Sequence, residues 1–129
     1  AIPEEDFNMP RLEYLDMFFN QLSGELPSDL SNLASLKRLS LYGNLLEGEI
    51  PSSIVDLKNL RELQLSSNSF TGQLPNGITD LPNLKRLSIF DNSFSGDFPF
   101  ELNDLDLEEL VYHKNNFNKT ELNTALAGQ

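Results

Sequence analysis

Catalysis and metal binding need side chains that ionise, coordinate or attack, set at defined spacings. This chain offers few of them. Across 129 residues it has no cysteine and a single histidine, His113. That inventory excludes a disulfide framework, a thiolate metal site, a cysteine nucleophile and any metal centre that needs two imidazoles. No motif pairs His113 with a nucleophile, and it reads as a surface histidine. Acidic clusters at Glu4-Glu5-Asp6, Asp104–Asp106 and Glu108-Glu109 could attract Ca²⁺. They lack the glycine-punctuated spacing of a calcium loop and read as solvated charge. Neither a G-x-G-x-x-G turn nor a P-loop is present. Asn118-Lys119-Thr120 matches a glycosylation acceptor, but 14 asparagines give about one or two such matches by chance. The expectation is a chain that is not an enzyme, with no metal and no cofactor.

Charge and hydropathy narrow the partners. Nine basic against 20 acidic side chains give a formal net charge of −11. Phosphate backbones bind to basic fields, so no nucleic-acid partner is expected. The 39% hydrophobic and 22% charged content belongs to a folded chain rather than a disordered one. No apolar run approaches the roughly 18 residues that span a bilayer, so this segment is not expected to insert into a membrane.

The elements that position the remaining polar and aromatic residues emerge from a repeat. Prolines 3, 27, 51, 75 and 99 are each 24 residues apart, as are glycines 24, 48, 72 and 96. Asn20, Asn44, Asn68 and Asn92 keep the same interval, and Asn115 follows after 23. The lines LKRLSLYGNLLEGEIPSSIVDLKN (36–59) and LRELQLSSNSFTGQLPNGITDLPN (60–83) align without a gap. LKRLSIFDNSFSGDFPFELNDLDL (84–107) continues them, and LEYLDMFFNQLSGELPSDLSNLAS (12–35) is the same unit. A fixed period of this length is the signature of a solenoid. Within LKRLSLYGN, Leu36, Leu39 and Leu41 point inward while Arg38, Ser40 and Tyr42 point out, the alternation of a half-buried strand. A short second extended stretch is expected at Gly-x-hydrophobic-Pro, and an irregular or 3₁₀ return at segments such as 52–59. Asn20, Asn44, Asn68, Asn92 and Asn115 are expected to form a ladder, because an asparagine amide can satisfy both its own and the next coil's backbone.

These residues resemble the plant-type leucine-rich repeat, L-x-x-L-x-L-x-x-N-x-L-x-G-x-I-P-x-x-L-x-x-L-x-x. The chain is similar to secreted polygalacturonase-inhibiting proteins and to plant receptor-kinase ectodomains. The resemblance implies an α/β-type repeat solenoid: a right-handed superhelix with a concave parallel sheet of about five strands and 3₁₀ or irregular convex turns. It also implies non-catalytic recognition of a protein or peptide and an extracellular setting. The cysteine pairs typical of secreted plant relatives are missing, which leaves organellar and cytosolic settings open.

The expected division is a partial repeat at 1–11, repeats at 12–35, 36–59, 60–83 and 84–106, a degenerate last repeat at 107–118 and a C-terminal cap at 119–129. The cap reads as a short helix with Asn118 or Thr120 as N-cap, Leu122 and Leu126 on one face and Gly128 as stop. The first end lacks a polar cap and should expose Ile2, Phe7 and Leu15, which fits a piece of a longer repeat protein; the alternatives are a protein partner covering that end or a diverged half-repeat serving as the cap.

Outward positions rise above this background. The position after each strand's last inward residue reads Phe18, Tyr42, Ser66, Phe90 and His113, with Tyr14 and Phe19 beside the first. Uncovered aromatics suit a binding surface, although large side chains also shield strand edges. Lys37, Arg38, Arg61, Lys85, Arg86 and Lys114 lie on strand segments, so Arg38, Arg61 and Arg86 join the partner-binding set as counterparts of acidic groups on a protein. The alternative is a structural subunit docked through its ends or through an acidic convex side carrying Asp29, Asp56, Asp80 and Asp104. Ice binding fits poorly, since only four threonines are present.

Overall fold

The computed structural model describes residues 7–98 and 107–118. In chain order the strands are β1 (Tyr14–Asp16), β2 (Ser23–Gly24), β3 (Arg38–Ser40), β4 (Leu45–Gly48) and β5 (Glu62–Gln64). They continue as β6 (Ser69–Gly72), β7 (Arg86–Ser88), β8 (Ser93–Gly96), β9 (Glu109–Val111) and β10 (Asn116–Phe117). The odd-numbered strands form one parallel five-stranded sheet and the even-numbered strands a second, each in chain order. Register follows the sequence period: Leu15 pairs with Leu39 and Leu39 with Leu63, 24 residues on. The last rung pairs Leu87 with Leu110, so the missing residue is absorbed without a slip. The chain is a parallel β-solenoid.

Strands of three residues have no independent stability, so each coil depends on the leucines it shares with its neighbours. Leu36, Leu39 and Leu41, with Leu60, Leu63 and Leu65 one coil on, are all buried, as are Leu84, Leu87 and Ile89. Each such side chain contributes about 1.5–3 kcal/mol on leaving water. A second apolar column was not singled out in the sequence. Phe70 and Phe94 stack at 6.1 Å and Phe94 and Phe117 at 6.5 Å, one ring per coil.

Return segments are 3₁₀ turns at Ser52–Asp56 and Asn76–Asp80, each burying one isoleucine. Pro51 and Pro75 precede them with φ of −61° and −57°, which starts the turn without costing a ladder donor. In the first coil the Asp29 carboxylate closes the turn, accepting from the Ser31 N–H at 2.9 Å and hydroxyl at 2.5 Å. The second extended stretch lies before Gly-x-hydrophobic-Pro, not on it. Gly48 ends β4 at φ +80°, and the Glu25 carboxylate of the preceding coil lies where a Cβ would project.

The asparagine positions hold the coils together in one recurring arrangement. Asn68 Nδ2 donates to the carbonyls of Leu41 (2.9 Å), Leu65 (3.2 Å) and Ser66 (3.2 Å), while its Oδ1 accepts from the Leu46 N–H at 3.1 Å. Asn44, Asn92 and Asn115 each reach the preceding coil in the same way. Asn20 differs. It is exposed and makes no such side-chain bond among the described residues; its backbone N–H is itself capped by Asn44 Oδ1 at 3.0 Å. A rung reaches 21 to 27 residues back.

Phe7 also departs from expectation. It is 1% exposed and joins the core against which Met9, Leu12 and Leu15 pack, so its ring covers the first coil instead of standing in water. Ile2 and the expected cap at 119–129 lie outside the described residues.

Candidate partner-binding face

Outward side chains of the odd-numbered strands are set by the pairing register. Beyond the strands the ladder continues, with the N–H groups of Met17, Leu41, Leu65 and Ile89 each donating to the next coil at 2.8 Å. That keeps Phe18, Tyr42, Ser66, Phe90 and His113 aligned. The next position then turns left-handed in every coil, with φ of 56° at Phe19, 74° at Gly43, 58° at Ser67, 61° at Asp91 and 58° at Lys114. Only one of these five is glycine, so residue type alone does not mark the bend, which costs other residues roughly 1–2 kcal/mol each.

The aromatic positions do not form a continuous stripe. Tyr14, Phe18 and Phe19, all on the first coil, are 53%, 51% and 68% exposed. The Phe19 ring meets Phe18 at 6.2 Å and the half-buried Tyr42 at 4.9 Å, both edge-to-face. It lies against Gly43, where a Cβ would stand 2.6 Å from the ring. Ser66 breaks the run: it is buried, its hydroxyl 2.5 Å from that of Ser88 and its N–H bonded to Gln64 Oε1 at 3.0 Å. Phe90 is half-buried, with the Lys114 ammonium 5.5 Å from its ring centre. His113 is exposed and packs on Tyr112 at 4.5 Å.

Two of the three arginines read as partner contacts already hold acids of this chain. Arg38 forks onto Asp16, Nε to Oδ1 at 3.0 Å and Nη2 to Oδ2 at 2.7 Å, and lies 4.9 Å from the Tyr14 ring centre. Its hydrogen bond to Asp16 pushes its pKa further up. Arg86 faces Glu108 at 3.4 Å, and Lys37 holds Glu13 at 2.7 Å. The hydrogen bond and charge of Lys37 hold the Glu13 carboxyl below its ordinary range. Arg61 is exposed. The pairs arise because acids at positions 13, 16 and 108 sit one coil away from these bases, a proximity invisible within a single repeat.

On the even-strand side an open groove of about 680 Å³ runs past Glu25, Glu49, Gln73, Ile50, Pro51 and Pro75. Among the described residues no group of three His, Asp or Glu side chains could hold a metal, and no helix is long and apolar enough to cross a membrane.

Comparisons with known proteins agree with the solenoid fold. Sequence comparison with curated proteins finds no match. A chain of the Arabidopsis thaliana receptor kinase HAESA complex, solved with the peptide hormone IDA and the co-receptor SERK1, superposes with a TM-score of 0.86. It is 35% identical over 95% of this chain, which is 22% of that one. A chain of the BIR3–SERK2 complex from Arabidopsis thaliana gives 0.79 at 39% identity, covering 91% of this chain and 62% of that one. A leucine-rich-repeat protein of Leptospira interrogans also gives 0.79, at 36% identity over 91% of this chain and 29% of the other. The chain therefore spans under two thirds of each of these solved chains. Residues 7–128 match the family described as leucine-rich repeat region, and the protein belongs to that family.

Proposed function

We propose that this chain is a non-catalytic recognition module that binds a protein or peptide on the face of its odd-numbered strands. The observation that carries the reading is that Tyr14, Phe18 and Phe19 are exposed on the first coil, with Phe19 packed on Phe18 and Tyr42. Large aromatics supply most of the affinity at protein interfaces, and leaving three of them over half exposed costs solubility unless something covers them. Similarity to receptor ectodomains solved with a peptide hormone and a co-receptor supports the same reading. Tyr42 and Phe90, half-covered by neighbours, act as the rim of the contact; Arg61 and His113 extend it.

The structural-subunit reading places the contact on the even-strand groove and the acidic return turns instead. Immobilised wild-type protein, a Phe18→Ser/Phe19→Ser variant and an Asp29→Ala/Asp80→Ala variant distinguish the two in pull-downs from an extract of the source organism. The expected result is that partners are retained by the acidic-turn variant and lost by the aromatic one. Loss on the acidic-turn variant alone transfers the interface to the return side.

A further inference from the structure

We propose that the segment bound at the Phe18–Phe19–Tyr42 cluster is apolar and flanked by lysine or arginine, the reverse of the acidic partner that the basic strand residues suggest. The inference rests on the strand-face reading and adds the partner's chemistry.

Charge decides the sign. The two bases of the second rung, Lys37 and Arg38, are held by Glu13 and Asp16 of the first, so little positive charge there is available to an incoming carboxylate. Arg86 is likewise engaged with Glu108. Arg61 on the third rung is exposed, but the chain as a whole carries a net charge of −11, which favours the approach of cations over anions. The same charge argues against a second copy of this chain as occupant, because two such bodies in contact repel within the Debye length of about 8 Å at physiological salt.

The face also shows which side-chain chemistry its rings accept. Arg38 lies over Tyr14 at 4.9 Å and Lys114 over Phe90 at 5.5 Å, so both aromatics at these two places carry a cation on the ring. Phe18 and Phe19 show no such cation among the described residues, although both are over half exposed. A lysine or arginine from a partner repeats the internal arrangement there, while an apolar residue packs beside Tyr42.

The test uses fluorescence anisotropy with three labelled short peptides: a central Leu-Phe pair flanked by lysines, its twin flanked by glutamates, and a lysine peptide with Gly-Gly at the centre. The lysine Leu-Phe peptide should bind, and both twins should bind at least about tenfold more weakly. Phe18→Ser/Phe19→Ser should weaken the lysine Leu-Phe peptide by about tenfold or more. Amide shifts of wild-type protein on titration should centre on Phe18, Phe19 and Tyr42, which needs no variant to fold. Equal or tighter binding of the glutamate twin, equal binding of the Gly-Gly twin, or no binding by any peptide overturns the proposal. A glutamate peptide that maps to the cluster sinks the basic partner and spares the strand-face reading. A lysine peptide whose shifts map to the even-strand groove defeats that reading too.

Discussion

The ladder makes an uneven demand on its asparagines, and Asn68→Leu against Asn20→Leu measures it. Both positions fill the same slot in the repeat, so the repeat pattern alone expects equal effects. In the folded chain Asn68 spends four hydrogen bonds on backbone groups. Three of its acceptors keep another donor when it is lost: Leu41 retains Asn44, Leu65 retains Asn92, and the Ser66 carbonyl retains the Gly43 N–H. The Leu46 N–H loses the oxygen it faces, beside a side chain that is fully buried. One unsatisfied buried donor costs about 1–3 kcal/mol, and the weakened carbonyl contacts place the total near the upper half of that range. For a chain of this size about 2 kcal/mol lowers Tm by roughly 6–12 °C. Asn20, exposed and without these bonds, should change stability by less than about 0.5 kcal/mol. Thermal melting by circular dichroism reads both, and amide exchange should show Leu46 losing protection in the Asn68 variant alone. If the two variants melt together, whether unchanged or equally lowered, the assignment of rungs by reach to the preceding coil is wrong.

Gly48→Ala should destabilise by about 1–2 kcal/mol from its left-handed backbone, more where Glu25 must move, and Glu25→Ala should relieve only the second part in a double-mutant cycle. Phe94→Ala, emptying a fully buried site between two stacked rings, should cost about 3–5 kcal/mol in denaturant melts, and Phe94→Leu clearly less. Arg38→Ala, although it breaks a bidentate pair, should cost at most about 1 kcal/mol, because the pair is solvent-exposed and screened. Asp29 is held below its ordinary value of 3.8 by the Ser31 hydroxyl and N–H. A depressed carboxylate stabilises the fold above its unfolded pKa and loses that contribution as pH falls through the folded value. Ser31→Ala should therefore melt below wild type at pH 7, with the gap narrowing as pH falls below 3.8 through the folded value; a gap that does not narrow in acid contradicts the linkage.

How much of this was legible in the chain depended on the range of each interaction. The alternation around Leu39 and Leu41 and the 24-residue interval named the inward residues and the register, because a solenoid places residue i beside residue i + 24. The asparagine slots and the turns after Pro51 and Pro75 were readable for the same reason: each needs a residue type that one coil dictates locally. The aromatic residues of the first coil and the serine that interrupts their column at position 66 were visible as a list, but the burial of Ser66 was not, since it depends on contacts across rungs.

Sequence by itself thus determined the coil, its period and its apolar inner face, all consequences of local geometry repeated. Tertiary structure decided which slots do the work. Among the described residues Asn20 makes no rung bond, Phe7 is buried, and Arg38 and Arg86 are spent on Asp16 and Glu108. Each of those outcomes turns on which side chain of an adjacent coil stands within a few ångströms, and competition among neighbours 22 to 27 residues away leaves no trace in the pattern of a single repeat.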